Sequence, residues 1–141
     1  MNVTVKLKGS LNDEYGNFTP IHMTTVGVFK ARKEMYWLKY LETEEAGLGD
    51  EVYTTVLIKS GHVVMIRGAR DAETRIDFIQ GKTHYSYYET PFGSFKVSVA
   101  THLVDIDVTE RGGRIRLGYE INMMGGSNGR NDLTIEITPD E

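Results

Sequence analysis

From its first residues the chain alternates. Val3, Val5 and Leu7 fall on one parity and Thr4, Lys6 and Lys8 on the other, which is the period of a strand with one apolar face and one wet face. The pattern recurs to the end of the chain, broken about every 8–12 residues by turn-forming residues, the spacing of a meander or barrel. It predicts strands over Asn2 to Gly9, Pro20 to Phe29, Met35 to Thr43, Val52 to Lys59, Val63 to Gly68 and Thr74 to Ile79. Further strands follow over Lys82 to Thr90, Phe95 to Thr101, Leu103 to Thr109, Arg114 to Met123 and Asp132 to Thr138, the two around His102 being readable as one bent strand. Turns are predicted at Asn12-Asp13, Gly16-Asn17, Ser60-Gly61 and Gln80-Gly81, with Gly112-Gly113 as a two-residue hairpin and Gly125 to Asn131 as a loop.

One stretch reads both ways. Ala31 to Ala46 is rich in helix formers, with Met35, Leu38 and Leu41 on one helical face. The alternation of Tyr36, Leu38 and Tyr40 fits a strand equally well, with a helical turn left around Glu44 to Leu48. About ten strands in a row leave two sheet edges to hide. Closure into an antiparallel barrel removes them, and a two-sheet sandwich is the alternative. No repeat or linker divides the chain, so residues 1–141 read as one domain.

Composition narrows the function classes. The 15 glycines and 3 prolines suit many tight turns between unbroken strands. Without cysteine there is no disulfide framework, thiol nucleophile or thiolate metal site. The alternating N-terminus lacks the apolar run of a signal peptide, and no stretch has the length of a membrane helix, so a cytoplasmic protein is the expectation. Lys6, Lys8, Arg116, Glu120 and Glu136 lie on the polar parity of their strands, which an outer-membrane barrel would not place toward lipid. A net charge of −4 with both signs interspersed, and only Lys30 to Lys33 as a short basic run, argues against nucleic acid.

Candidate chemistry is sparse. His22, His62, His84 and His102 are scattered with no metal-ligand spacing, so no metal and no cofactor is expected. The glycine-rich run Gly125 to Arg130 precedes a strand rather than a helix, which removes the phosphate-cradle reading. No Gly-x-Ser-x-Gly elbow occurs around Ser86, Ser94 or Ser98. Asp105 and Asp107 share a strand face about 6–7 Å apart, but they alternate with Val104, Ile106 and Val108 and so belong to the solvent side. No catalytic residue is assigned.

The least ordinary stretch is His84 to Phe95, with Tyr85, Tyr87 and Tyr88 close together and Pro91 and Gly93 after them. Pro91 must end the strand, because it has no N–H for a ladder. The segment is either a structural corner or a ligand mouth lined by Tyr88, Glu89 and Phe92. Arg67, in an apolar-rich strand, needs a partner. Glu89 is the expected one, with Tyr40 and Tyr119 donating hydroxyls into the same network. Tyr40, Arg67, Tyr88, Glu89, Phe92 and Tyr119 are therefore the candidate ligand-binding residues.

Tyr88-Glu89-Thr90-Pro91-Phe92-Gly93-Ser94-Phe95, preceded by Gly81-Lys82-Thr83-His84, resembles the signature of the YwiB-like family. These are small bacterial proteins, mostly Gram-positive, with a calycin-like (lipocalin-type) β-barrel and no established activity. The resemblance extends over Lys6 to Gly9, Tyr36 to Glu44, Arg67-Gly68, Gly112-Gly113, Tyr119 and Arg130-Asn131, and departs at Thr74-Arg75-Ile76, where a Ser-Arg-Met-like run is expected. It implies a closed barrel of about 8–10 strands and makes Met35 to Thr43 a strand. Three function classes follow. The first is a non-enzymatic barrel holding a small, partly apolar molecule. The second is a structural or protein-interaction module whose barrel is filled by its own side chains. An enzyme comes third, for want of a triad or metal set.

Overall fold

The computed structural model describes residues 1–13, 15–42, 52–69, 72–90, 93–123 and 128–140, of which positions 13, 69, 72, 88–90, 95, 123 and 128 are described by their backbone alone. Ten strands account for nearly all of them. They are β1 (Asn2–Asp13), β2 (Phe18–Arg32), β3 (Met35–Leu41), β4 (Tyr53–Lys59), β5 (His62–Ala69), β6 (Ala72–Ile79), β7 (Thr83–Thr90), β8 (Gly93–Thr109), β9 (Gly112–Met123) and β10 (Asn128–Pro139). No helix occurs among the described residues.

The strands form one antiparallel sheet in the order β6-β5-β4-β3-β2-β1-β10-β9-β8-β7. The first strand lies between β2 and β10, so the two ends of the chain pair with each other. The ends of the sheet, β6 and β7, pack side by side without a ladder, and the sheet is a nearly closed barrel. The cause lies in the Gln80-Gly81 turn. Gly81 N donates to the Thr101 carbonyl at 2.8 Å and Thr101 N to the Lys82 carbonyl at 3.0 Å, which commits the start of β7 to β8. Across the seam His84 Nε2 donates to the Arg75 carbonyl at 3.2 Å.

The predicted strands stand, most of them with longer bounds, while β4 and β7 each begin one residue later than expected. Met35–Leu41 is a strand, and its pairing continues one residue further, where Glu42 N donates to the Val52 carbonyl at 2.7 Å. Thr43 and the turn expected at Glu44 to Leu48 lie outside the described residues. The two runs around His102 are one strand, with a register shift between Thr101 and Leu103. The Gly112-Gly113 hairpin needs correction: the turn is Glu110-Arg111, and both glycines open β9 with φ of 96° and 147°. A Cβ on Gly112 would collide with the Ile137 carbonyl and one on Gly113 with the Asp107 carbonyl, so neighbouring backbones close on space that only glycine leaves.

Alternation decides inside and outside. Val3, Val5, Leu38, Val56, Val63, Ile115 and Ile135 are fully buried, and Lys6, Lys8, Arg116 and Glu120 are exposed, with Glu136 half-buried. Each large aliphatic side chain so buried contributes roughly 1.5–3 kcal/mol. Asp105 and Asp107 are exposed and stand opposite Arg116 and Arg114 in the ladder, a solvated charge pairing rather than a site.

Candidate ligand-binding site

The interior changes character along the barrel axis. At the end holding the Lys33-Glu34, Ser60-Gly61, Gln80-Gly81 and Glu110-Arg111 turns it is apolar, filled by residues such as Phe29, Ile58, Val63 and Ile137, with Phe29 stacked on Tyr36 at 5.6 Å. At the other end β3, β5, β7 and β9 finish and β4, β6, β8 and β10 begin, and polar side chains take over.

Two cross-strand rows build that polar end. In the first, Gly27 stands opposite Tyr40, Tyr40 opposite Thr54, Thr54 opposite Arg67 and Arg67 opposite Thr74. In the second, Thr101 stands opposite Tyr119 and Tyr119 opposite Asn131. Each shares its parity with core residues: Tyr40 follows Leu38, Arg67 follows Val63 and Met65, Tyr119 follows Leu117, and Asn131 precedes Leu133. Gly27 makes room for the first row, because a Cβ there would stand 2.7 Å from the Lys39 carbonyl oxygen and 3.1 Å from the Tyr40 Cβ.

Hydrogen bonds order the first row. The Thr54 hydroxyl donates to Glu42 Oε1 at 2.6 Å, and Thr54 is also bonded to the Tyr40 hydroxyl. A hydroxyl has one proton, so Tyr40 donates to Thr54 and Thr54 to the carboxylate. Glu42 Oε1 in turn lies 3.7 Å from Arg67 Nε, with 16% of the Glu42 side chain and 37% of the Arg67 side chain exposed. The arginine thus reaches from the interior to water. Burial pushes the Tyr40 phenol well above the usual tyrosine range, the Glu42 charge adds to this, and the Arg67 charge opposes it.

The second row is less satisfied. Burial also raises the Tyr119 phenol, against a hydrogen bond from Asn131. The Phe78 ring packs on Tyr119 at 4.8 Å, tilted by 56°. Among the described residues, Asn131 Oδ1 and Thr101 Oγ1 are buried with no hydrogen-bond partner, in residues only 6% and 3% exposed. Tyr40 and Tyr119 belong to one core cluster, so the two rows share one interior.

Tyr40, Arg67 and Tyr119 are therefore brought together inside the barrel. Tyr88 and Glu89 end β7 at this same polar end, where their backbones pair with Phe95 and Ser94; their side chains and the whole of Phe92 lie outside the described residues. Among the described residues the carboxylate facing Arg67 is Glu42, which sequence reasoning passed over along with Thr54, Thr101 and Asn131. The signal was available: Glu42 continues the inward parity of Leu38 and Tyr40, and Asn131 that of Leu133, Ile135 and Ile137.

Elsewhere, His62 Nε2 meets Asp77 Oδ2 at 3.2 Å and Arg75 Nε donates to Asp77 Oδ1 at 3.0 Å. Partial burial works to raise the Asp77 carboxyl, but the Arg75 and His62 bonds outweigh it and hold it below the usual range. Among the described residues no group of three or more histidine, aspartate or glutamate side chains could hold a metal ion. On the outer face an open depression of about 730 Å³ lies among Val26, Val28, Trp37 and Tyr53, with Lys30 over Trp37 at 5.2 Å and Lys39 over Tyr53 at 4.8 Å. No helix among the described residues is long and apolar enough to cross a membrane.

The barrel resembles a solved structure, that of the ywiB protein from Bacillus subtilis, with a TM-score of 0.85 over 99% of this chain and 92% of that one at 24% identity, a likeness of fold. In sequence, the uncharacterized beta-barrel protein YwiB of Bacillus subtilis (strain 168) is 26% identical over 134 residues, which are 94% of this chain and 90% of the relative. A family model described as a domain of unknown function, DUF1934, matches residues 5–135, a span that takes in the Tyr40–Thr54–Glu42–Arg67 chain and the Thr101–Tyr119–Asn131 row. The chain belongs to the DUF1934 family of β-barrel proteins of unknown function.

Proposed function

We propose that the barrel binds a small, partly apolar molecule at its polar end and performs no chemistry on it. The observation that carries this reading is the pair of buried oxygens, Asn131 Oδ1 and Thr101 Oγ1, which have no hydrogen-bond partner among the described residues, beside an ordered hydrogen-bond chain. An unpaired buried acceptor costs about 1–3 kcal/mol. A barrel selected only to be filled has no reason to keep two of them, whereas a binding site has one. The apolar body of such a molecule would lie against the inward aliphatic residues next to the rows, such as Leu38 and Leu117, with its polar end at the two rows.

The same reading makes the partner a small molecule rather than nucleic acid or a membrane, supported by an outer face of mixed charge. It also assigns the protein to the cytoplasm; recovery from the membrane or secreted fraction of its host would overturn that assignment. The well-filled apolar end supports the second reading, a structural or interaction module closed by its own side chains. Native mass spectrometry of protein purified from its own host separates the two. A mass excess lost on denaturation supports the binding barrel, and the bare chain mass, with no response to added ligand, supports the filled one.

A further inference from the structure

We infer that the polar end is built for an electrically neutral, amide-like group, a carbonyl beside an N–H, rather than for a carboxylate or an ammonium. This rests on reading the polar end as the binding site. Among the described residues the inward-facing charges at this end are an opposed pair. Arg67 is taken by Glu42, and Glu42 is held in place by the Thr54 hydroxyl at 2.6 Å. A ligand carboxylate would have to displace that side chain or lie next to it as a second negative charge. A ligand ammonium would meet Arg67 on approach to Glu42.

Beside that ion pair, the row of Tyr119 leaves two neutral oxygens without a hydrogen-bond partner among the described residues, Asn131 Oδ1 and Thr101 Oγ1. Asn131 is hydrogen-bonded to the Tyr119 oxygen through its amide, which leaves the Asn131 Oδ1 as an acceptor without a donor. The Tyr119 hydroxyl, accepting from Asn131, keeps its own proton to donate. Tyr119 and Asn131 are direct cross-strand partners, so donor and acceptor stand side by side. A primary amide or lactam presents the complementary edge, giving its N–H to Asn131 and its carbonyl to Tyr119. The Thr101 hydroxyl, on the other side of Tyr119 in the same row, can accept a second N–H.

Three probes with a common eight-carbon chain test this: octanamide, octanoate and octylammonium, titrated calorimetrically into the purified protein at pH 7. Octanamide should bind about tenfold more tightly than either ion, the scale set by leaving buried polar groups unpaired. In Glu42→Gln the order should change, with octanoate gaining about tenfold because the Glu42 charge no longer stands against Arg67. Asn131→Asp, close to isosteric, should shift the preference toward octylammonium, with circular dichroism confirming the fold of both variants. Preference of the parent protein for either ion, or an octanoate affinity unmoved by Glu42→Gln, overturns the inference while leaving the binding reading intact. If none of the three probes binds the parent protein, the binding reading itself fails.

Discussion

Thr54 and Thr101 are both threonines with a buried hydroxyl on an inward face, yet they do opposite things. Thr54 passes a proton-donor chain from Tyr40 to Glu42, whereas Thr101 Oγ1 has no partner among the described residues. Replacement by valine keeps the shape and removes the hydroxyl. Thr54→Val should lower stability by about 1–3 kcal/mol, since it strands the Tyr40 hydroxyl and the buried side of Glu42. Thr101→Val should leave stability unchanged or raise it by up to about 1 kcal/mol, because nothing bonded is lost. Urea denaturation of the two variants against the parent checks the contrast, and equal losses would contradict it. For the ion pair, a double-mutant cycle with Glu42→Gln and Arg67→Met should show a coupling of roughly 0.5–1 kcal/mol, kept small by the partial exposure of Arg67. Additive effects would mean that the two side chains do not interact.

At the scale of elements, the hairpin between β8 and β9 and the seam between β6 and β7 are the informative places. Gly112 and Gly113 combine positive φ with a neighbouring carbonyl where a Cβ would go, while Gly61 has positive φ but open space around it. Gly113→Ala should therefore cost roughly 2–4 kcal/mol and Gly61→Ala only about 1 kcal/mol. Thermal denaturation that ranks them the other way would contradict the packing of Gly113 on Asp107. The seam has a different consequence. Both flanks of β1 and β10 are covered by ladders, whereas β6 and β7 each have one. Amide hydrogen exchange followed by mass spectrometry should show β6 and β7 exchanging well before β1 and β10. Uniform protection across all four strands would indicate a ladder closing the barrel there.

For the molecule as a whole, the two buried phenols tie the fold to alkaline pH. Tyr40 and Tyr119 are both raised by burial above the ordinary tyrosine value, so the fold holds their neutral forms. Their contribution is fully present below about pH 10, the unfolded value, and is lost as pH rises from there toward the folded values. A spectrophotometric titration should show a late phase of tyrosine ionisation that coincides with loss of the β-sheet circular dichroism signal. Complete ionisation with the sheet intact would show that the phenols are not enclosed. Much of this barrel is legible in the chain because strand periodicity is a local property: the parity of Val3, Val5 and Leu7, or of Leu133, Ile135 and Ile137, states which side faces inward before any partner is known. The same parity marks Tyr40, Arg67 and Tyr119 as inward polar residues, the thermodynamic exceptions that point to a site. Which of them meet is a matter of register and closure, set by long-range backbone pairing between strands as far apart in the chain as β1 and β10. Only that pairing places Thr54 between Tyr40 and Arg67, brings Glu42 against the guanidinium, and leaves Asn131 Oδ1 facing no donor among the described residues.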